Sequence, residues 1–491
     1  DFVLNERKEI RKHGFFKFLN KEDRNYLSAL EKKSAVKAGE SRLIFVPSRQ
    51  RALLIGIPEK SKFNHRKALL AARRVVSSAR IERLAHIVVY PDDFLAQDSP
   101  GGEALAEVLA TQFEIANFEF VKYKTQQPDG WFFVKKISVF SARPTLKLTQ
   151  GITAGKIIGE EINEARVLSN TPGGDMTPDK LAKAAVNAGK RYKFKVKILG
   201  EKEIKKLRMG GILGVSRGSA ERPHFIVIEY LKGKKEEKPI VLVGKGVTFD
   251  TGGLNLKEDE GLKEMHMDMS GGAAVIHIIS ALARLKAKKN IVGLVPAVEN
   301  MPSGSSYRPG DLLKTMSGKT IEVLNTDAEG RIVLADALEY AKKYKPRLVI
   351  DIATLTGAAM VALGQRASAI FTTDGNLEKT LRETGEKTGD FVWPLPLWEE
   401  FEEDIKGTFG DVANTGKTKY GGAISGAVFL WQFIKAPSAG RGQAPSTGSG
   451  QVPWAHIDIA PRMTSIEGEY LAKGAVAPSV ALLTHFLREF K

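Results

Sequence analysis

The sequence predicts an α/β protein of two domains: a smaller N-terminal α/β domain over residues 1–155 and a larger C-terminal α/β domain over 156–491 with a mixed central sheet. Three observations carry this. The 491 residues exceed one ordinary domain. Short apolar runs alternate with amphipathic stretches of helix length along most of the chain, the pattern of strands covered by helices. The composition, 43% hydrophobic and 27% charged, is that of a soluble globular protein.

In the first domain, SRLIFVPS (41–48) and ALLIGIP (52–58) read as strands, being short, apolar and ended by proline. A helix follows from about Phe63 to Ala85, then a short strand, His86–Tyr90. Another helix spans 102–117, and FFVKKISVF (132–140) is a further strand. The second domain opens on the helical stretch GKIIGEEINEARVLSNTP, which Pro172 and the pair Gly173–Gly174 terminate. Thr177–Pro178 starts the next helix, because proline is preorganised for the first helical position. FKVKIL, HFIVIEY, PIVLVG, IVGLVPAV and RLVIDIATL then read as strands, with helices between most of them. One segment, APSAGRGQAPSTGSGQVP (436–453), holds residues that cannot bury a core, and it predicts a flexible Gly/Ser/Pro-rich surface loop.

Several classes are excluded. No stretch of about 18 uncharged apolar residues exists, so no membrane span is expected. With zero cysteines there is neither a disulfide nor a thiolate zinc site. The first residues carry charges throughout and lack a signal peptide's apolar centre, so a cytoplasmic location is expected. The net charge of +17 is uneven: residues 1–90 hold 21 Lys/Arg against 9 Asp/Glu, a net of +12, leaving +5 for the rest. Such a region can bind nucleic acid, but no compact Arg/Lys run with interleaved aromatics accompanies it.

Three segments concentrate unusual groups. VGKGVTFDTGGLNLK (243–257) follows the strand Pro239–Val243 and reads as the glycine-rich loop beyond its end. The others are MHMDMSGG (265–272) and NTDAEGR (325–331). Together they offer the carboxylates Asp250, Asp268, Asp327 and Glu329 and the cations Lys245, Lys257 and Arg331. Each has a structural reading. Asp327 would cap a helix running from about Ala328 to Tyr344, Glu329 would be its first-turn acid, and Asp268 would sit in a turn. VGKG fits neither the P-loop nor the dinucleotide fingerprint. Four carboxylates packed together would repel and raise one another's pKa values. Two divalent cations would neutralise them. The eight histidines show no metal-binding spacing, so the ligands would be oxygens, with a lysine nitrogen as the exception.

NTDAEGR resembles the signature of the leucyl aminopeptidase (cytosol aminopeptidase) family. VGKGVTFDTGGLNLK and MHMDMSGGAAV resemble two further blocks of it, as do DIATLTGAAMVALG (351–364), PLPLWEEF (395–402), GGAISGAVFL (421–430) and WAHIDIA (454–460). The likeness runs in the family's order over about 157–491, so it implies that the C-terminal domain is the catalytic, dimetal peptidase domain. The implied enzyme is a metal-dependent leucyl aminopeptidase, an exopeptidase hydrolase. It would remove leucine-like N-terminal residues, with broad specificity, from peptides with a free N-terminus, using a hydroxide that bridges two divalent metal ions, Mn2+ or Zn2+.

By that resemblance one metal is held by Asp250, Asp327 and Glu329, and the second by Lys245, Asp250, Asp268 and Glu329. An ammonium has no lone pair, so Lys245 must be neutral to ligate; without metal it is expected to reprotonate and pair with a carboxylate. Lys257 would stay charged and stabilise the oxyanion. Arg331 would hold a bicarbonate that shuttles protons. Met265, Thr354 and Gly357 would line the pocket for the first side chain. The resemblance also implies a homohexamer, and it leaves as the alternative function a DNA-binding or regulatory role through the basic N-terminal region. Two features depart from the family pattern: Pro461 after DIA, and the lengthened 436–453 loop.

Overall fold

The computed structural model describes residues 2–5, 16, 19–33, 36–48, 51–125, 130–142, 144–435 and 452–490. The flexible-loop expectation for 436–453 falls, over 436–451, outside the described residues. The chain divides into two compact units, Asp1–Asn163 with Ser465–Lys473, and Glu164–Thr464 with Gly474–Lys491.

The strands of the first unit are β1 (Phe2–Asn5), β2 (Ser41–Phe45), β3 (Arg51–Ile55), β4 (His86–Val89) and β5 (Lys136–Val139), and they form one sheet in the order β2-β3-β1-β4-β5. Only β2 runs antiparallel to its neighbour. The helices are α1 (Lys21–Lys33), α2 (His65–Ile81) and α3 (Gly102–Ala116), and α4 (Leu146–Asn170) begins here and ends in the second unit. Helix α2 starts where the Asn64 side chain accepts from Lys67 N, an N-cap bond that satisfies one orphan donor. Leu53, Ile55, Ala72, Val76, Leu105 and Leu109 form the core between sheet and helices.

In the second unit the strands are β6 (Lys195–Leu199), β7 (His224–Leu231), β8 (Ile240–Gly244), β9 (Gly246–Asp250), β10 (Asn290–Asn300), β11 (Leu312–Lys314), β12 (Thr320–Glu322), β13 (Leu348–Ala353), β14 (Ser368–Phe371), β15 (Val392–Pro394), β16 (Val412–Ala413) and β17 (Trp454–Asp458). The large sheet has the order β15-β14-β17-β13-β8-β10-β7-β6, with β9 paired to β10; β11, β12 and β16 form a small separate sheet. The centre is parallel (β17, β13, β8, β10), whereas β7, β6 and β14 pair antiparallel, so the sheet is mixed as expected. Every residue of β8 and β13 is buried, which explains their continuous apolar runs: a central parallel strand is covered on both faces. The covering helices are among α5 (Pro178–Tyr192), α6 (Glu201–Lys206), α7 (Gly210–Ser216), α8 (Asp259–Leu262), α9 (Ser270–Arg284), α10 (Glu329–Ala341), α11 (Gly357–Leu363), α12 (Gly375–Thr388), α13 (Gly422–Ile434) and α14 (Val480–Glu489). Among the described residues no helix is long and apolar enough to cross a membrane.

Two local expectations need correction. The stretch after Val243 is not wholly a loop. Strand β8 ends at Gly244, opposite Ile352 of β13, and the chain resumes as β9 alongside β10, where Gly246 faces Ala297 and Asp250 faces Asn300. Val247, Thr248 and Phe249 are good strand formers, and the flanking glycines mask them in the sequence. Nor does Asp327 cap α10: the cap position is Ala328, which makes no side-chain capping bond. Asp327 is therefore available for another role.

Candidate active site

The C-terminal ends of β8, β9 and β13 and the N-terminal ends of α9 and α10 converge, the usual place for a site in an open α/β sheet. Lys245 occupies the corner between β8 and β9, Asp250 ends β9, and Lys257 follows in the next loop. Asp268 comes from the 3₁₀ turn Met265–Met267, immediately before α9. Asp327 lies in the loop before α10, Glu329 is the first residue of α10, and Arg331 is the third. Thr354 and Gly357 lie beyond β13. All ten residues expected from the sequence line one cleft: Lys245, Asp250, Lys257, Met265, Asp268, Asp327, Glu329, Arg331, Thr354 and Gly357.

The ligand atoms of Asp250, Asp327 and Glu329 lie within 4.8 Å of one another. Asp268 joins them through Lys245, whose Nζ is 2.7 Å from Asp268 Oδ2 and 2.8 Å from Glu329 Oε1, and donates to Thr354 O at 2.9 Å. The lysine is thus paired with carboxylates. Lys257 Nζ lies 3.0 Å from Asp250 Oδ2 and also contacts Asp327 Oδ1. Thr354 Oγ1 donates to Asp268 Oδ1 at 2.6 Å, fixing that carboxylate from the other side. Asp250 Oδ1 accepts from Gly252 N and Asn300 Nδ2, each at 2.8 Å. Gly252 has φ +86, a turn geometry that glycine adopts freely and that aims its N–H back at Asp250. A Cβ at Gly330 would come within 2.6 Å of Lys245 Cε, so the lysine stem needs glycine there.

Lys245, Asp250, Asp268 and Glu329 are all at least 97% buried. Burial, reinforced by neighbouring carboxylates, holds the Asp268 carboxyl well above its ordinary range and raises that of Glu329, in spite of Lys245. Burial also opposes the charge on Lys245 and Lys257, but the carboxylates outweigh it, and both lysines are held charged more firmly than usual. Four carboxylates thus face two ammonium groups. Glu329 Oε2 is buried with no hydrogen-bond partner. An acidic cluster with excess negative charge and a buried, unsatisfied oxygen fits divalent cations, which would neutralise both. Arg331 is buried too: its Nη1 donates to Asn414 O at 2.8 Å, while its Nε has no partner. Burial lowers its pKa to about 10 against the pull of Glu329 and Asp458, so it remains a cation at neutral pH.

The sequence reading missed several supports. Met360, Ala460 and Met463 also line the cleft. Asn300 steers Asp250, and Tyr307 Oη donates to Thr326 O at 2.6 Å beneath the loop that carries Asp327. Asp458 accepts from Leu355 N and Thr356 Oγ1, holding the turn after Thr354. Asp458 and Ala460 lie within WAHIDIA and Met360 within DIATLTGAAMVALG, so only those blocks hinted at them; Met463, Asn300 and Tyr307 have no sequence signal.

Residues 163–484 match the profile described as the cytosol aminopeptidase family, catalytic domain, and residues 3–127 match that family's N-terminal domain. A probable cytosol aminopeptidase of Geobacter sp. is 37% identical over 458 residues, covering 92% of this chain and 89% of that protein. Another, from Chlorobaculum tepidum, is 40% identical over 448 residues, covering 89% and 86%. Among solved structures, the bottromycin maturation enzyme BotP superposes with a TM-score of 0.82 at 27% identity, over 99% of this chain and 98% of that one. The same enzyme in complex with Mn gives a TM-score of 0.83.

Proposed function

This chain belongs to the cytosol aminopeptidase family of metal-dependent peptidases, and we propose that it is a two-cation aminopeptidase that releases leucine-like N-terminal residues with broad specificity. The observation that carries the reading is the convergence of Asp250, Asp327 and Glu329 around an unsatisfied carboxylate oxygen, with Asp268 and Lys245 beside it. Asp250, Asp327 and Glu329 would hold one divalent ion, and Lys245, Asp250, Asp268 and Glu329 the other, manganese and zinc being the candidate metals. The Mn-bound relative supports a divalent metal of this kind. When bound, the cations supply Lewis acidity and neutralise the buried acids.

The chain's own residues supply the rest. The Lys257 ammonium, 17% exposed at the cleft, can follow charge as it develops on a carbonyl oxygen. Thr354 keeps Asp268 and Lys245 in register through its hydroxyl and carbonyl. Arg331, with a free buried Nε, would hold an anion, and bicarbonate is the one we propose. Met265, Thr354 and Gly357 would receive the first side chain; such an apolar wall discriminates by only about 1–3 kcal/mol per methylene, hence the breadth. The proposal extends to a homohexamer in the cytoplasm.

Exhaustive chelation should abolish release of leucine from a leucyl anilide, and Mn2+ or Zn2+ should restore it. Full activity after chelation removes the reading. The second reading, duplex DNA binding, has the charge of residues 1–90 as its support. It requires an affinity that falls steeply between about 50 and 200 mM salt, and no binding at low salt disposes of it.

A further inference from the structure

The loop Leu324–Ala328 joins β12 to α10 and has no regular structure, yet it carries Asp327 and leads directly into Glu329. Its backbone polar groups have no ladder partners and need others, and Ala328 at the cap position makes no side-chain capping bond. In its middle, Asn325 Oδ1 accepts from Asp327 N, Asn255 Oδ1 accepts from Thr326 N, and Thr326 O accepts from Asn300 and Tyr307; its two ends are held by one further residue. Asn414, fully buried just after β16, accepts at Oδ1 from Leu324 N (2.8 Å) and Asn325 N (3.3 Å). Its Nδ2 donates to Asn325 O (2.6 Å) and Ala328 O (3.4 Å). Its carbonyl oxygen accepts from Arg331 Nη1, and its own N–H is anchored on Glu322 O at 3.0 Å. A single amide thus grips the loop on both sides of Asp327, and the same residue holds Arg331.

We propose that Asn414 is a positioning residue that clamps the two ends of the loop around Asp327 and the start of α10, and thereby raises the affinity of the divalent ion that Asp327 holds. The inference rests on the two-cation reading above. Groups that orient metal ligands typically change metal affinity by about 10- to 100-fold when removed. Lys257 contacts the Asp327 carboxylate itself, and an ammonium on a flexible stem does not fix a backbone.

Asn290 provides a matched control. It lies at the far end of β10 from Asn300, accepts at Oδ1 from Gly233 N, and donates through Nδ2 to Lys234 O and Glu237 O. It is therefore another buried amide clamp, remote from the cleft. The experiment is Mn2+ titration of the metal-stripped full chain followed by electron paramagnetic resonance, for wild type, Asn414→Ala, Asn414→Ser and Asn290→Ala. The expected result is two Mn2+ per wild-type chain, one of which binds roughly 10- to 100-fold more weakly in both Asn414 variants and unchanged in Asn290→Ala. If Asn414→Ala does not fold, Asn414→Ser is judged by the same criterion. Unchanged affinity in the Asn414 variants, or an equal loss in Asn290→Ala, overturns the inference while leaving the two-cation reading intact. A wild-type chain that binds no Mn2+ overturns that reading itself.

Discussion

Two buried carboxylates stand two turns apart on the same helix, α10, and they are treated in opposite ways. Asp336 is fully buried, and both of its oxygens are satisfied by neutral backbone donors, Oδ1 by Met316 N at 2.7 Å and Oδ2 by Ile212 N at 3.0 Å. Glu329, equally buried, offers one oxygen to Lys245 and leaves the other with no partner. A protein core ordinarily gives each oxygen of a buried carboxylate a hydrogen-bond partner, as at Asp336. Glu329, left unsatisfied among three more carboxylates, is what the proposed cation would complete. The difference supports the proposal that Glu329 is a functional acid and Asp336 a structural one.

The sharpest way to break the comparison is to neutralise each acid in turn. Glu329→Gln should lower kcat/KM by at least about 100-fold and weaken Mn2+ binding, with the fold retained, since Lys245 keeps its pair with Asp268. Steady-state kinetics and a melting curve check this together; retained activity would make Glu329 structural. Next in size, Lys257→Ala should reduce kcat by roughly 100-fold through loss of oxyanion stabilisation. A change confined to KM would assign Lys257 to substrate binding instead.

Asp336→Asn should leave kcat/KM essentially unchanged and cost about 1–3 kcal/mol of stability, because an amide nitrogen then faces a backbone donor. Its pH dependence carries a sign. Burial pushes the Asp336 carboxyl up to about 7 from its ordinary 3.8, against the backbone donors that favour its charge. The folded state therefore binds the proton more tightly than the unfolded chain. That contribution is complete below about pH 4 and is lost as pH rises through 7. Urea denaturation at pH 5 and pH 8 should show the wild type losing roughly 2 kcal/mol relative to Asp336→Asn. A wild type that instead gains on the variant would mean that the carboxylate is the favoured buried form.

Much of this arrangement was legible in the sequence. The apolar runs of β8 and β13 declared a two-sided core, and NTDAEGR with its companion blocks pointed to every residue of the acidic cluster. What escaped was whatever depends on packing between distant segments. Asn414 sits in FGDVANTG, a stretch with neither periodicity nor motif, and its meaning comes from partners 83 to 90 residues away. Asn300 ends an apolar strand, and nothing local says that its amide reaches Asp250. The strand β9 was hidden for the opposite reason: glycines that allow close backbone approach were read as glycines that make a loop.

Anomalous diffraction at the manganese edge, from crystals of the full chain grown with Mn2+, tests the central claim most directly. The account predicts two peaks in the cleft, both within reach of Glu329 and Asp250. A single peak, or none beside Glu329, contradicts it.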